Sequence, residues 1–194
     1  MTRKILLGYS KSMFFFSTPI DSTVVVATLT ELEMVPVTWD QIVDWCQKVA
    51  QQARNGGFQS ILAISRGGLV PARVISTFLG DLPIWCITAH RYDRTQCGTL
   101  VITGEEVIDH LVPPVLVVDE ICDAGDTIEA IGDLLDKRGV DHQLAVLLQK
   151  GKSTRKILSI FCAEIVDVDP EGPEHWFCFP WDKEYFDRFA EKTD

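Results

Sequence analysis

The chain has 194 residues, 46% of them hydrophobic, and carries a formal net charge of −10. This length suffices for one domain with a sizeable core, and the negative charge disfavours binding to nucleic acid or to anionic membranes. The six cysteines are far apart and lack metal-ligand spacing, which argues against a zinc site or a disulfide framework and favours free thiols in a reducing cytoplasm.

The first 34 residues are expected to form an N-terminal extension without an assigned role, followed by the domain itself at residues 35–194. The start mixes basic and apolar residues but has no clean cleavage site, so a cleaved signal peptide is disfavoured. No apolar run approaches the length of a membrane span. Residues 23–29 are a candidate strand within the extension.

The first helix is predicted to begin after Thr38. Thr38 and Gln41 have the spacing of a capping box, in which each side chain accepts a backbone N–H of the other residue. Two glycines, at positions 56 and 57, supply a left-handed stop. Between these signals the apolar side chains recur at helical spacing, at Ile42, Trp45, Val49 and Ala53.

Strands and helices alternate along the rest of the chain. The predicted strands are residues 61–64, 84–89, 115–118, 144–148 and 160–166, with one helix running through Phe78 and another over 127–137. This alternation predicts an α/β fold with a doubly wound parallel sheet. Ligands of such sheets bind at the carboxyl ends of the strands, where the loops after Ile64 and Val118 are expected to lie.

Two common phosphate-binding signatures are absent from the chain. The GKS at 151–153 is not part of a P-loop, because Val146 occupies the position of its first glycine, and no GxGxxG follows a strand. A different cradle is predicted in VLVVDEICDAGDT, residues 115–127. There, Ala124 and Gly125 allow successive backbone N–H groups to converge on one phosphate at the start of a helix.

The acids of the same stretch have to face something other than the phosphate, since like charges repel. Asp119, Glu120 and Asp123 are suited to sugar hydroxyls, to a divalent cation, or to the proton of a reacting base. The residues alone leave these three partners open.

The stretch 115–127 resembles the phosphoribosyl-diphosphate (PRPP) signature of type I phosphoribosyltransferases. The resemblance implies that Asp119 and Glu120 hold the ribose hydroxyls and a bound Mg²⁺, and that Asp123 is the catalytic proton acceptor that faces a purine. It also implies a phosphate loop around the 5′-phosphate of PRPP, made of Ala124, Gly125, Asp126 and Thr127.

A second stretch, AISRGGLVPA at 63–72, resembles the family's pyrophosphate loop. The resemblance implies that Arg66 and the glycine N–H groups bind the leaving diphosphate, and that the Ser65–Arg66 peptide is a candidate cis bond. We call this segment the diphosphate loop; it consists of Ser65, Arg66, Gly67 and Gly68.

The closer resemblance is to the xanthine-guanine branch of the family. HWFCFPWD, at 175–182, has the W-x-x-x-P-W-D spacing of that branch. The resemblance implies that Trp176 stacks on the purine, that Phe177 offers backbone contacts, and that Lys150 donates to the purine O6. It implies a small base-binding hood at about residues 150–194, in which Trp181 is structural.

A mobile lid is expected over residues 92–104. HRYD at 90–93 resembles the opening of the loop that covers PRPP in the family, which implies that Arg91 or Arg94 reaches the diphosphate. A lid would keep water from the reacting sugar.

Three positions depart from the family pattern. Ala124 replaces the usual threonine, and the lost hydroxyl is expected to weaken PRPP binding by about 1 kcal/mol. Asp126 adds a carboxylate beside the phosphate, so its side chain is expected to point to solvent. Gly151 stands where the branch usually has proline, which is expected to loosen the base-binding loop.

Two classes of function follow from these patterns. The first is a cytoplasmic, homo-oligomeric enzyme that transfers phosphoribosyl from PRPP to guanine, xanthine or hypoxanthine. The second is a non-catalytic PRPP-sensing module, which the retention of Asp123 and the lack of a basic DNA-binding segment disfavour. Within the enzyme class, the pairing of Lys150 with Trp176 disfavours a pyrimidine transferase.

Overall fold

The computed structural model describes residues 32–91, 99–151, 160–167 and 174–189. The candidate strand at 23–29, Arg94 and residues 92–98 lie outside this part of the chain. None of the described helices is long and apolar enough to cross a membrane. In chain order the elements are β1 Leu32–Pro36, α1 Trp39–Ala53, β2 Ser60–Ser65, α2 Leu69–Phe78, β3 Ile84–Arg91, β4 Leu100–Thr103, a 3₁₀ helix Glu105–His110, β5 Val115–Cys122, α3 Asp126–Lys137, β6 His142–Lys150, β7 Ile160–Val166, β8 Glu174–Cys178 and α4 Lys183–Arg188.

A six-stranded sheet forms the centre of the fold, with strand order β4-β3-β2-β5-β6-β7. Its neighbouring strands are parallel except for β3 and β4, which are antiparallel. The predicted doubly wound α/β class is confirmed. The sheet brings the carboxyl ends of β2, β3, β5, β6 and β7 to one edge.

Strand β4 lies inside the segment expected to act as a lid. Its residues LVIT are apolar and mostly β-branched, a composition that favours a strand, and they pair with residues 88–91 at the end of β3. The expectation of an irregular lid is therefore wrong for residues 100–103.

Two apolar cores lie on opposite faces of the sheet because alternate strand residues point to opposite sides. Helices α1 and α2 cover one face, where Val49 and Ile75 pack in the same core as Ile61 of β2. Helix α3 covers the other face, where Ile131 packs in the same core as Leu62. Helices on both sides explain why the central strands read as continuous apolar runs.

The first helix begins as the sequence predicts. The Gln41 N–H donates to the Thr38 hydroxyl at 3.2 Å, and the Thr38 N–H donates to Gln41 Oε1 at 2.9 Å, which completes the capping box. The predicted apolar stripe of α1 is buried, at Ile42, Trp45, Val49 and Ala53.

A separate two-stranded sheet pairs β1 with β8 in parallel. The predicted boundary between extension and domain, after residue 34, falls within β1. The Val37 N–H donates to the Cys178 carbonyl at 2.9 Å, and Cys178 and Phe179 are fully buried. We call β1 and β8, with the turn that follows β8, the hood; these contacts attach it to the main core.

Candidate functional site

The diphosphate loop lies beside β5 because β2 and β5 are neighbours in the sheet. Strand β5 pairs with β2 only as far as Ala63↔Val118, although β5 itself continues to Cys122 along β6. The carboxyl half of β5 is therefore uncovered on the β2 side, and the loop that follows Ser65 occupies this position. The Ser65–Arg66 peptide is cis, as expected from the sequence.

Both glycines of the diphosphate loop stand where a side chain has no room. A Cβ added to Gly67 would overlap the Glu120 carboxylate, and one added to Gly68 would overlap the carbonyl oxygens of Val118 and Ile64. The contact between Gly67 and Glu120 shows that the diphosphate loop and the acidic pair form one site.

Asp119 and Glu120 are part of strand β5 rather than of the loop behind it. The strand extends further than predicted because β6 continues to pair with it up to Cys122↔Gln149. Asp119 is 9% exposed, and its Oδ1 accepts the Glu120 N–H at 3.0 Å. Burial is the main cause that raises the pKa of Asp119 well above its usual value, and a side-chain hydrogen bond with Glu120 and charge repulsion from it add to this.

This acidic pair fits a divalent cation. Glu120 Oε2 is buried and has no hydrogen-bond partner within the described ranges. A cation between the two carboxylates would satisfy that oxygen and relieve their repulsion. The described residues contain no cluster of three or more His, Cys, Asp or Glu side chains around a common point, so the remaining ligands of such a cation would have to come from substrate or water.

The phosphate loop connects β5 to α3. Gly125 has a left-handed conformation, with φ of 90°, and within the described chain no side chain caps the start of α3 at this residue. The backbone N–H groups of the first helical turn are therefore directed at the site edge without a side-chain acceptor at the cap. Ala124 is exposed, while Asp126 and Thr127 are half-buried, so Asp126 does not point fully into solvent as expected.

Lys150 and Asp123 form an ion pair across the same edge. Lys150 Nζ lies 3.2 Å from Asp123 Oδ1, and the lysine side chain is 9% exposed whereas the aspartate is 66% exposed. The buried cation is thus held at the end of β6 and offers its charge to an accessible carboxylate. The Gly151 N–H next to it donates to the Val166 carbonyl at 2.8 Å, a bond that proline could not make, so this end of the loop is tied to β7.

The hood places its aromatic residues in two different environments. Trp176 is 47% exposed on β8, opposite Met34 of β1, and is accessible to a ligand. Phe177 packs against the main core. Trp181 stacks on Phe179 with ring centres 5.0 Å apart.

Asp182 is a site residue to which the sequence analysis gives no role. It closes a tight turn with Phe179, since each residue's backbone N–H donates to the other, at 2.9 Å in both directions. Burial raises the pKa of its carboxyl and repulsion from Glu120 adds to this, while the Phe179 N–H and the Arg66 charge act in the opposite sense. Asp182 therefore lies within electrostatic reach of the diphosphate loop. The aspartate at the end of the W-x-x-x-P-W-D spacing was the available signal.

Comparison with known proteins gives consistent results. Residues 30–177 match the family model described as phosphoribosyl transferase domain. The chain is 29% identical to xanthine phosphoribosyltransferase 1 of Saccharomyces cerevisiae, over 80% of this chain and 93% of that protein. It is also 29% identical to the xanthine-guanine phosphoribosyltransferase of Chromohalobacter salexigens, over 75% and 82% of the two chains. A purine phosphoribosyltransferase from Pyrococcus horikoshii has a similar structure, with a TM-score of 0.61 and 26% identity over 77% of this chain and 95% of its own.

Proposed function

The chain belongs to the phosphoribosyl transferase domain family, and on that premise we propose that it transfers the phosphoribosyl group of PRPP to guanine, xanthine or hypoxanthine and releases diphosphate. The observation that carries this proposal is the meeting of three groups at one sheet edge. The diphosphate loop contacts Glu120, and one strand further along the Lys150–Asp123 pair provides a donor and an acceptor for a base.

The first task of the site is to stabilise the leaving diphosphate. Displacement at the anomeric carbon passes through an oxocarbenium-like state in which negative charge builds up on the departing group. Arg66 and the N–H groups of Gly67 and Gly68 are placed to receive that charge. Asp119 and Glu120 would hold Mg²⁺, which supplies further neutralising charge when bound.

The second task is to hold the ribose 5′-phosphate. The uncapped start of α3, with Gly125 in its left-handed conformation, offers converging N–H groups and the positive end of a helix dipole. Ala124, Gly125, Asp126 and Thr127 are proposed to surround this group. The half-buried Asp126 makes this cradle more acidic than the family pattern.

The third task is to bind and deprotonate the purine. Asp123 is proposed to accept the N7 proton while N9 attacks, and Lys150 to donate to O6. Because these two side chains are paired at 3.2 Å, an arriving base replaces an existing contact rather than meeting two bare charges. Trp176 is proposed to stack on the ring and Phe177 to offer backbone contacts.

The test is a substrate panel with purified protein. The protein is incubated with Mg²⁺, PRPP and one base at a time, using guanine, xanthine, hypoxanthine, adenine, uracil and orotate, and consumption of each base is followed. Consumption of the first three supports the proposal. Consumption of a pyrimidine alone would assign a different transferase, and PRPP binding without turnover would assign a sensing module.

Asp123→Asn tests the proton role. We expect turnover to fall at least about tenfold while PRPP binding is kept, because the amide cannot accept the proton yet remains isosteric. Calorimetric titration with PRPP separates binding from turnover. Full activity of the variant would contradict the assignment.

We also propose that the enzyme is a cytoplasmic homo-oligomer. Exposed apolar side chains on α2, Leu69 at 42% and Phe78 at 40%, support an interface between copies. Light scattering coupled to size-exclusion chromatography measures the assembly directly.

A further inference from the structure

Thr88 is the last residue of β3 that is paired with β2. The register pairs Ser65 with Thr88, and on the other side of β3 it pairs Thr88 with Thr103 of β4. Register partners on adjacent strands point to the same face of a sheet. Three hydroxyl-bearing residues therefore form a row that begins at the diphosphate loop.

Beyond Thr88, β3 has left the main sheet and continues only with β4. The pairs Ala89↔Ile102, His90↔Val101 and Arg91↔Leu100 extend this hairpin past the end of β2. Thr88 is thus the point where the hairpin joins the strand that carries the diphosphate loop.

The contact at this point is a hydrogen bond between two half-buried hydroxyl groups. Thr88 Oγ1 donates to Ser65 Oγ at 3.3 Å. Because Ser65 acts as the acceptor, its own hydroxyl hydrogen remains available to donate to a second group. Donation by Thr88 also polarises the Ser65 hydroxyl, which makes it a better donor to an anion.

We propose that Thr88 is a positioning residue for diphosphate. Its hydroxyl holds the Ser65 hydroxyl in the orientation that donates to the diphosphate oxygens, and it fixes the diphosphate loop relative to the β3–β4 hairpin. The proposal rests on the proposed function, because it needs diphosphate at Ser65, but no feature of the family resemblance points to Thr88.

A purely structural role for Thr88 makes a different prediction. Threonine is common in half-buried strands, where its shape packs well, and valine has nearly the same shape without the hydroxyl. A structural threonine would therefore tolerate valine, whereas a positioning threonine would not. Serine keeps the hydroxyl and loses the methyl group, so it reverses the comparison.

The experiment compares wild type, Thr88→Val, Thr88→Ser and Thr103→Val in the full chain. We expect Thr88→Val to raise the KM for PRPP and the Kd of diphosphate with Mg²⁺ about fivefold, which corresponds to one neutral hydrogen bond. The KM for the base should not change, Thr88→Ser should restore diphosphate affinity, and Thr103→Val should behave as wild type. Thermal unfolding of each variant verifies that all four are folded.

Three results would overturn the inference. These are unchanged diphosphate affinity in Thr88→Val, an equal loss in Thr103→Val, or a loss in Thr88→Ser as large as in Thr88→Val. A double variant, Ser65→Ala with Thr88→Val, should be no weaker than Ser65→Ala alone, because Thr88 acts through Ser65. If wild type itself neither binds diphosphate nor consumes PRPP, the proposed function fails as well; if it does both, only the role of Thr88 is at stake.

Discussion

At the scale of single residues, Asp119 combines a probable benefit to binding with a cost to folding that its burial makes large. Its carboxyl is 9% exposed and lies next to Glu120, one oxygen of which is buried without a partner in the described chain. Such a pair is unfavourable until a cation or a proton arrives. The site is therefore organised for a charge that the folded chain alone does not provide.

We predict that Asp119→Asn stabilises the protein at neutral and alkaline pH. Because burial raises the pKa of Asp119 in the folded state, the wild type loses stability as pH rises from the unfolded value of about 4 through the raised folded value. The asparagine variant lacks this loss, so at pH 8 it should be more stable by about 1–3 kcal/mol, with little difference near pH 4.

The measurement is thermal unfolding between pH 4.5 and 8.5 without divalent ions. Asp133→Asn, at an exposed position of α3, is the matched control and should show no pH-dependent gain. An Asp119→Asn variant that melts at or below the wild-type temperature at pH 8 would show that the carboxylate is already compensated.

At the scale of elements, local signals and strand pairing have different reach. Capping boxes, glycine stops and apolar periodicity act between residues close in sequence, so the start of α1 and the bounds of β7 agree with their predictions. The extension of β5 to Cys122 depends on pairing with β6, and β4 depends on pairing with β3. These are non-local contacts, which the chain pattern alone does not specify.

The α1 cap gives a prediction at this scale. Thr38→Ala removes the acceptor of the Gln41 N–H and should cost about 1 kcal/mol, which lowers the melting temperature by about 2–4 °C for a domain of this size. Thr38→Ser keeps the acceptor and should melt as wild type. Differential scanning calorimetry checks both, and an unchanged midpoint in Thr38→Ala would mean that water replaces the cap without loss.

The site was predictable to a similar extent and for a similar reason. The diphosphate loop, the acidic pair and the phosphate loop are each contiguous in sequence, so their residue types could be recognised together. Asp182 reaches Arg66 and Glu120 only through the fold, and the Lys150–Asp123 contact requires β5 and β6 to be neighbours. The roles of these residues remain predictions that the proposed variants test.

At the scale of the whole molecule, the enzyme and its proposed substrate carry charge of the same sign. The chain has a net charge of −10, and the site edge itself holds Asp119, Glu120, Asp123, Asp126 and Asp182. Long-range repulsion should slow the approach of PRPP, and dissolved salt screens it over a Debye length of about 10 Å at 0.1 M.

We predict that kcat/KM for PRPP rises at least about twofold between 10 and 150 mM monovalent salt at constant free Mg²⁺. The kcat/KM for neutral hypoxanthine, measured at saturating PRPP, should stay constant over the same range and serves as the internal control. Initial-rate kinetics at each ionic strength provide both values. A fall in kcat/KM for PRPP would show that the local field of Arg66 and Lys150 outweighs the net charge.

The pairing of β1 with β8 has a consequence for biosynthesis. It joins the first described strand to the last, across the largest sequence separation of any strand pair in the described fold. Since a ribosome delivers the chain from its amino end, the six-stranded sheet can assemble while β8 is still inside the exit tunnel. A nascent chain would then acquire its cradle for the sugar phosphate before the surface that selects a base, and selectivity would be the last property to emerge.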